Sequence, residues 1–137
     1  MAADANVITV YLEVGTKRTL AGACDWPGWC RGGRDEAGAL HALLAYGPRY
    51  ARVLHAAGLH FDAPTAVADF NVTERLAGKA GTDFGAPDVA PAGDGAPVDA
   101  AELGRLQTLL HACWAALDAA ADLATGKELR TGPRGGG

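Results

Sequence analysis

Apolar and polar positions alternate cleanly along "VITVYLEV", residues 7–14. Ile8, Val10, Leu12 and Val14 fall on one side and Thr9, Tyr11 and Glu13 on the other, the period-two pattern of a half-buried strand. The short "GTK" at 15–17 permits a reversal, and "RTLAGACD" at 18–25 reads as the antiparallel return, so residues 7–25 predict a hairpin. Pro27 and Gly28 then break the strand, because proline removes a ladder donor and the glycine allows a sharp change of direction. Trp29 to Arg31 predict a brief third strand, ended by Gly32 and Gly33.

From Asp35 the period changes. Asp35 is a natural N-cap and Glu36 stands in the first turn, where a negative charge favours the helix dipole. Leu40, Leu43 and Leu44 follow at i, i+3 and i+4, an amphipathic stripe able to cover one face of a sheet. Gly47 and Pro48 interrupt it, Tyr50, Val53, Leu54 and Ala57 continue an apolar face, and Gly58 is a stop, so a kinked or broken helix is expected over 35–57. "VADFNVTERL" at 67–76 reads as a strand, with Ala68, Phe70 and Val72 opposite Asp69, Asn71 and Thr73, and a helix between strands returns the chain to the same sheet.

The second half has a different texture. Residues 77–97 are rich in glycine, proline and small acidic positions and predict a flexible linker. A C-terminal helix follows over 98–126 with Asp99 as its cap, and Leu103, Leu106, Leu110, Cys113, Trp114 and Leu117 keep helical spacing along one broad face. Residues 127–137 hold no core formers and read as a mobile tail, with Arg130 and Arg134 free to touch an anionic partner. A lone helix cannot bury such a stripe by itself. It must dock on the first domain, 1–76, pair with another chain, or belong to a larger helical unit outside this chain, and the first two are the expectation.

Composition refines this picture. At 137 residues the chain suits one domain with a helical appendage. Much of its hydrophobic 49% is alanine, so a modest core concentrated in a few segments is expected. Residues 82–125 set Asp83, Asp88, Asp94, Asp99, Glu102, Asp118 and Asp122 against Arg105 alone, a balance that repels a phosphate backbone and disfavours nucleic-acid binding. Nucleic-acid binding would require Arg31, Arg34, Arg49 and Arg52 to cluster on one face. No run approaches the roughly 20 apolar residues of a membrane helix. The three cysteines and an opening "MAADANVITVYLEV" without signal-peptide character point to the cytoplasm.

The densest chemistry lies in "CDWPGWC", residues 24–30. Asp25 and its turn can form a binding pocket edged by Trp26 and Trp29, whose indoles offer large rigid contact surfaces; equally, the two tryptophans can cap the core. The spacing of Cys24 and Cys30 is not that of a compact zinc site and no second pair exists, so no metal is expected, and Cys24 and Cys113 read as buried, inert thiols. His41, His55, His60 and His111 have no periodic partner, and no catalytic residues and no cofactor are assigned. "GPRGGG" at the end lacks the strand and helix that a phosphate-cradling loop requires.

The segment "CDWPGWCRGGRDEAGAL", lying between a hairpin and a helix, resembles the core of HicB-like antitoxin domains, matching in order at Asp25, Pro27, Gly28, Gly33, Ala39 and Leu40. "HAAGLHFDAPTAVADFNV" is similar to that family's helix exit and final strand, so the resemblance spans about residues 7–76. It implies a partial ribonuclease-H-like ββ(β)αβ fold and a noncatalytic module that acts by protein contact. The C-terminal stretch from Arg105 resembles the first helix of DinB-like helical bundles. The expected architecture is therefore α+β: a small ββ(β)αβ sheet with one covering, kinked helix, and a C-terminal helix after a linker. The leading reading is a protein-binding, self-associating module, most simply a dimer, that uses a sheet face, the Trp26/Trp29 loop and the Trp114 helix. The rival is a small-molecule binder or enzyme with Asp25, Arg34, Asp35 and His41 inside aromatic walls.

Overall fold

The computed structural model describes residues 6–133. Its fold is α+β. Four strands, β1 (Ile8–Val14), β2 (Thr19–Ala23), β3 (Cys30–Gly33) and β4 (Phe70–Ala77), form one sheet in the order β3-β2-β1-β4. β1 and β2 make the expected hairpin, with Val10 opposite Ala23 and Leu12 opposite Ala21. β3 adds antiparallel to β2, and β4 lies parallel to β1 with Ile8 beside Phe70 and Val10 beside Val72. A parallel neighbour needs a crossover, supplied by the helix α1 (Glu36–Ala56).

α1 begins where the chain asks it to: the Asp35 carboxylate accepts from the Gly38 amide at 2.7 Å. It then runs unbroken through Pro48, where a break was one of the two expectations. An interior proline costs a helix about 3 kcal/mol. The helix keeps its course because Ala39, Leu40 and Leu43 before the proline and Tyr50, Ala51 and Leu54 after it all bury against the same platform. Strand and helix also meet closely at Gly33, where a Cβ atom would lie 2.3 Å from the Ala39 nitrogen. β4 starts later than the alternation suggested, because Val67–Asp69 form a 3-10 turn, and a register shift opposite Val10 and Tyr11 inserts Thr73 as an extra residue.

The core fills the space between α1 and one sheet face. Ile8, Val10, Leu12, Ala21 and Ala23 look up at Leu40, Leu43, Ala51 and Leu54, and Trp29, Tyr50, Phe61 and Phe70 close the end near the start of β1. Trp29 stacks on Tyr50 at 5.7 Å between centroids and meets Phe61 edge-on at 5.4 Å.

The opposite sheet face is covered by the Gly/Pro-rich stretch, which is built on short elements: α2 (Ala80–Phe84) and a 3-10 turn at Ala92–Gly95. Carboxylates hold it in place. Glu13, fully buried, accepts from the Thr82 hydroxyl and from the Asp88 and Val89 amides, the last at 2.9 Å. Glu74 accepts from the Ala92 amide at 3.0 Å. Asp83 reaches back to the hairpin turn and accepts from the Thr16, Lys17 and Arg18 amides, bonds that hold its carboxyl below the ordinary aspartate range. A composition without apolar periodicity thus folds over the sheet because three acids capture its backbone or are carried by it.

The last helix, α3 (Ala100–Leu123), is capped by Asp99, which accepts from the Glu102 amide at 2.8 Å. It docks on α1 through Leu109 and Ala112, both buried. Among the described residues no helix is long and apolar enough to cross a membrane.

Candidate functional site

The "CDWPGWC" loop is chiefly architecture. Trp29 is a core residue, its indole N–H donating to the Leu43 carbonyl at 2.9 Å, so it offers no contact surface to a partner. The Tyr50 hydroxyl donates to the Pro27 carbonyl at 2.8 Å, and burial pushes the Tyr50 pKa up, which keeps it a donor. Gly28 takes φ of +90°, a left-handed conformation that turns the loop back under Trp29. Trp26 is half-buried, packing edge-on against Phe61 at 4.8 Å.

Around Trp26 the loop meets α3. The Arg105 guanidinium lies over the Trp26 ring at 5.5 Å and is gripped in fork geometry by Glu102 at 2.8 and 2.9 Å, while the charge of Asp25 also favours its protonated form. Asp25, Cys24 and Tyr11 border a hollow of about 680 Å³ between this junction and the covering segment. Burial, then the neighbouring Cys30 and Glu13, push the Tyr11 pKa up to about 12. Burial likewise raises the Cys24 and Cys30 thiols, so neither is an activated nucleophile. Cys24 is exposed and Cys113 half-buried, a correction to the reading of both as buried thiols; all three cysteines are free.

The polar constellation of the small-molecule reading is divided by the fold. Asp25 borders the hollow, but Asp35 is spent capping α1 and Arg34 is exposed in the turn just ahead of it. His41 and His55 do share one continuous helix, yet fourteen residues of rise separate them by about 21 Å. Of the four arginines weighed for nucleic acid, Arg31 lies over the Tyr46 ring at 3.5 Å, Arg49 and Arg52 face α3, and Arg34 stands at the far end of α1. Among the described residues no three His, Cys, Asp or Glu side chains converge as metal ligands. Arg134 lies outside the described residues.

The clearest available surface is the outer side of α3. Leu103, Leu110, Trp114 and Leu117 are 51%, 46%, 55% and 67% exposed. At about 100° per residue they share an arc of roughly 60° that faces away from buried Ala112. Leu103, Leu110 and Leu117 recur every seven residues, with Trp114 four after Leu110 and three before Leu117, the spacing of a seam between paired helices. The sequence showed the helix and its apolar residues but merged two stripes into one face: Leu106 and Cys113 turn inward while the outer four stay in solvent. No protein-family model, curated protein or solved structure matches this chain.

Proposed function

We propose that the chain is a noncatalytic protein-interaction module, antitoxin-like in the manner of HicB-like domains, which works in the cytoplasm and whose contact surface is the outer stripe of α3. The observation that carries this is the solvent-facing row of Leu103, Leu110, Trp114 and Leu117 on a helix whose other side is already docked. Large apolar side chains grouped in such a row mark interaction surfaces, and tryptophan is a frequent anchor at them. One sheet face lies under α1 and part of the other under the 78–97 segment, which leaves the outer row of α3 as the more exposed apolar surface. The strand order around α1 accords with the ββ(β)αβ pattern of the HicB-like resemblance. An exposed free thiol at Cys24 accords with a reducing compartment.

The partner assigned first is a second copy. A seven-residue repeat is self-complementary, because a two-fold axis sets each exposed leucine of one copy against the same row of the other. Light scattering across a concentration series is expected to give a mass rising toward twice that of the chain. Leu110→Lys with Trp114→Lys is expected to hold the mass at one chain with an unchanged circular dichroism spectrum. A wild-type mass that stays at one chain at high concentration would contradict the second copy as partner.

A further inference from the structure

A groove of about 790 Å³ lies between the C-terminal half of α1 and the stretch of α3 from Thr108 to its end at Leu123. Its α1 wall is Arg49, Arg52, Val53 and Ala56, which recur at i, i+3, i+4 and i+7 and so share one helix face. The α3 wall is built mainly of alanines, with buried Ala112 in the floor, and turns roughly a third to a half of a revolution from the outer stripe. The groove exists because α3 presents alanine here where leucine would close the gap.

Two features narrow what it can hold. The walls are mostly alkyl, and both helices satisfy their own backbone groups, so an extended peptide would find no amide or carbonyl partners along them. Against this apolar lining stand two exposed cations one helical turn apart. Arg75 is paired with Glu36 and Arg105 with Glu102, whereas Arg49 and Arg52 form no ion pair with any described residue, in a chain whose net charge is −4. His111 adds an imidazole to the α3 wall. Guanidinium forks match a carboxylate in two-point geometry. The volume falls inside the roughly 300–1,000 Å³ of small-molecule sites.

We propose that this groove binds a single-chain amphiphilic carboxylate, its hydrocarbon along the alanine-lined floor and its head group held by Arg49 and Arg52. The site is on a different side of α3 from the self-association stripe, so each reading can fail without the other.

Calorimetric titration of the full chain with decanoate, kept below micelle formation, tests the assignment. The expected result is saturable binding of one molecule per chain, tightening about fourfold for each methylene added from octanoate to dodecanoate. Decanol and decyltrimethylammonium are expected to bind at least tenfold more weakly. Arg49→Gln with Arg52→Gln is expected to weaken decanoate at least tenfold, and Ala119→Phe to abolish its binding. All these positions except the groove floor are exposed, so melting temperatures should hold. Absence of decanoate binding, equal affinity for decanol, many molecules bound per chain, or affinity unchanged in the arginine double variant would each overturn the proposal. Binding retained in Leu110→Lys with Trp114→Lys supports it, and loss there would tie the groove to self-association and overturn it as an independent site.

Discussion

The two faces of the sheet are held down by different physics. Under α1 the contact is apolar and broad: aliphatic side chains of β1 and β2 meet the leucines of the helix, and four aromatic rings close one end. On the other face, Leu20 is buried but the covering segment brings few large apolar groups, and its own Phe84 is exposed. There the attachment is a small set of directed bonds from Glu13, Glu74 and Asp83. Apolar burial tolerates small displacements, because it scales with area. A buried carboxylate surrounded by amides does not, because each lost bond leaves a polar group unsatisfied. A glycine- and proline-rich segment can therefore be well placed on a sheet while owing little to hydrophobicity.

The largest test of this contrast is on the apolar side. Trp29→Ala removes a fully packed indole and, with it, the N–H that donates to the Leu43 carbonyl, with an expected cost of about 3–5 kcal/mol in denaturant unfolding. On the polar side, Glu13→Ala leaves the Thr82 hydroxyl and two amides without their acceptor, with an expected cost of about 2–4 kcal/mol. The two should differ in pattern as well as size. Loss of Trp29 should raise hydrogen exchange throughout β1, β2 and α1, whereas loss of Glu13 should release the Asp88 and Val89 amides first.

Acid probes the same face more gently. Asp83 has a folded pKa below its unfolded one, so its contribution is fully present above the ordinary aspartate value and lost as pH falls through the lower folded value. Exchange at the Lys17 and Arg18 amides, corrected for intrinsic rates, should stay level from neutrality to about pH 5 and rise relative to Leu12 below about pH 4. The smallest effect is expected for Arg75→Ala. Its pairing with Glu36 lowers the Glu36 pKa, but both side chains stand largely in solvent, so the denaturant midpoint should stay where it is in the parent chain.

What the sequence disclosed follows the same division. The hairpin, the covering helix and the return of Phe70 beside β1 were legible because apolar periodicity reports burial directly. Pro48 misled only about continuity, since local propensity yields when both halves of a helix pack on one platform. The covering segment was illegible for a physical reason: its bonds run from backbone amides to acids far away in sequence, and Glu13 looks like an ordinary polar-face residue in an alternating strand. Its one signal is an isolated acid between Leu12 and Val14, next to which no basic partner stands. At the loop, two tryptophans near a proline announced a special place, but spacing could not tell Trp29 in the core from Trp26 at the edge. On α3 the helical period placed six residues on one broad face; only docking divides them into an inner and an outer row.

The outer row of α3 is the face proposed for self-association, and it is well exposed in the single chain. Hydroxyl-radical footprinting of the intact protein at low and high concentration reads that row directly. The expected result is strong oxidation of Leu110, Trp114 and Leu117 when dilute and marked protection of all three when concentrated, with Trp26 unchanged. Equal oxidation of Trp114 at both concentrations would contradict the assignment of this face to a second copy.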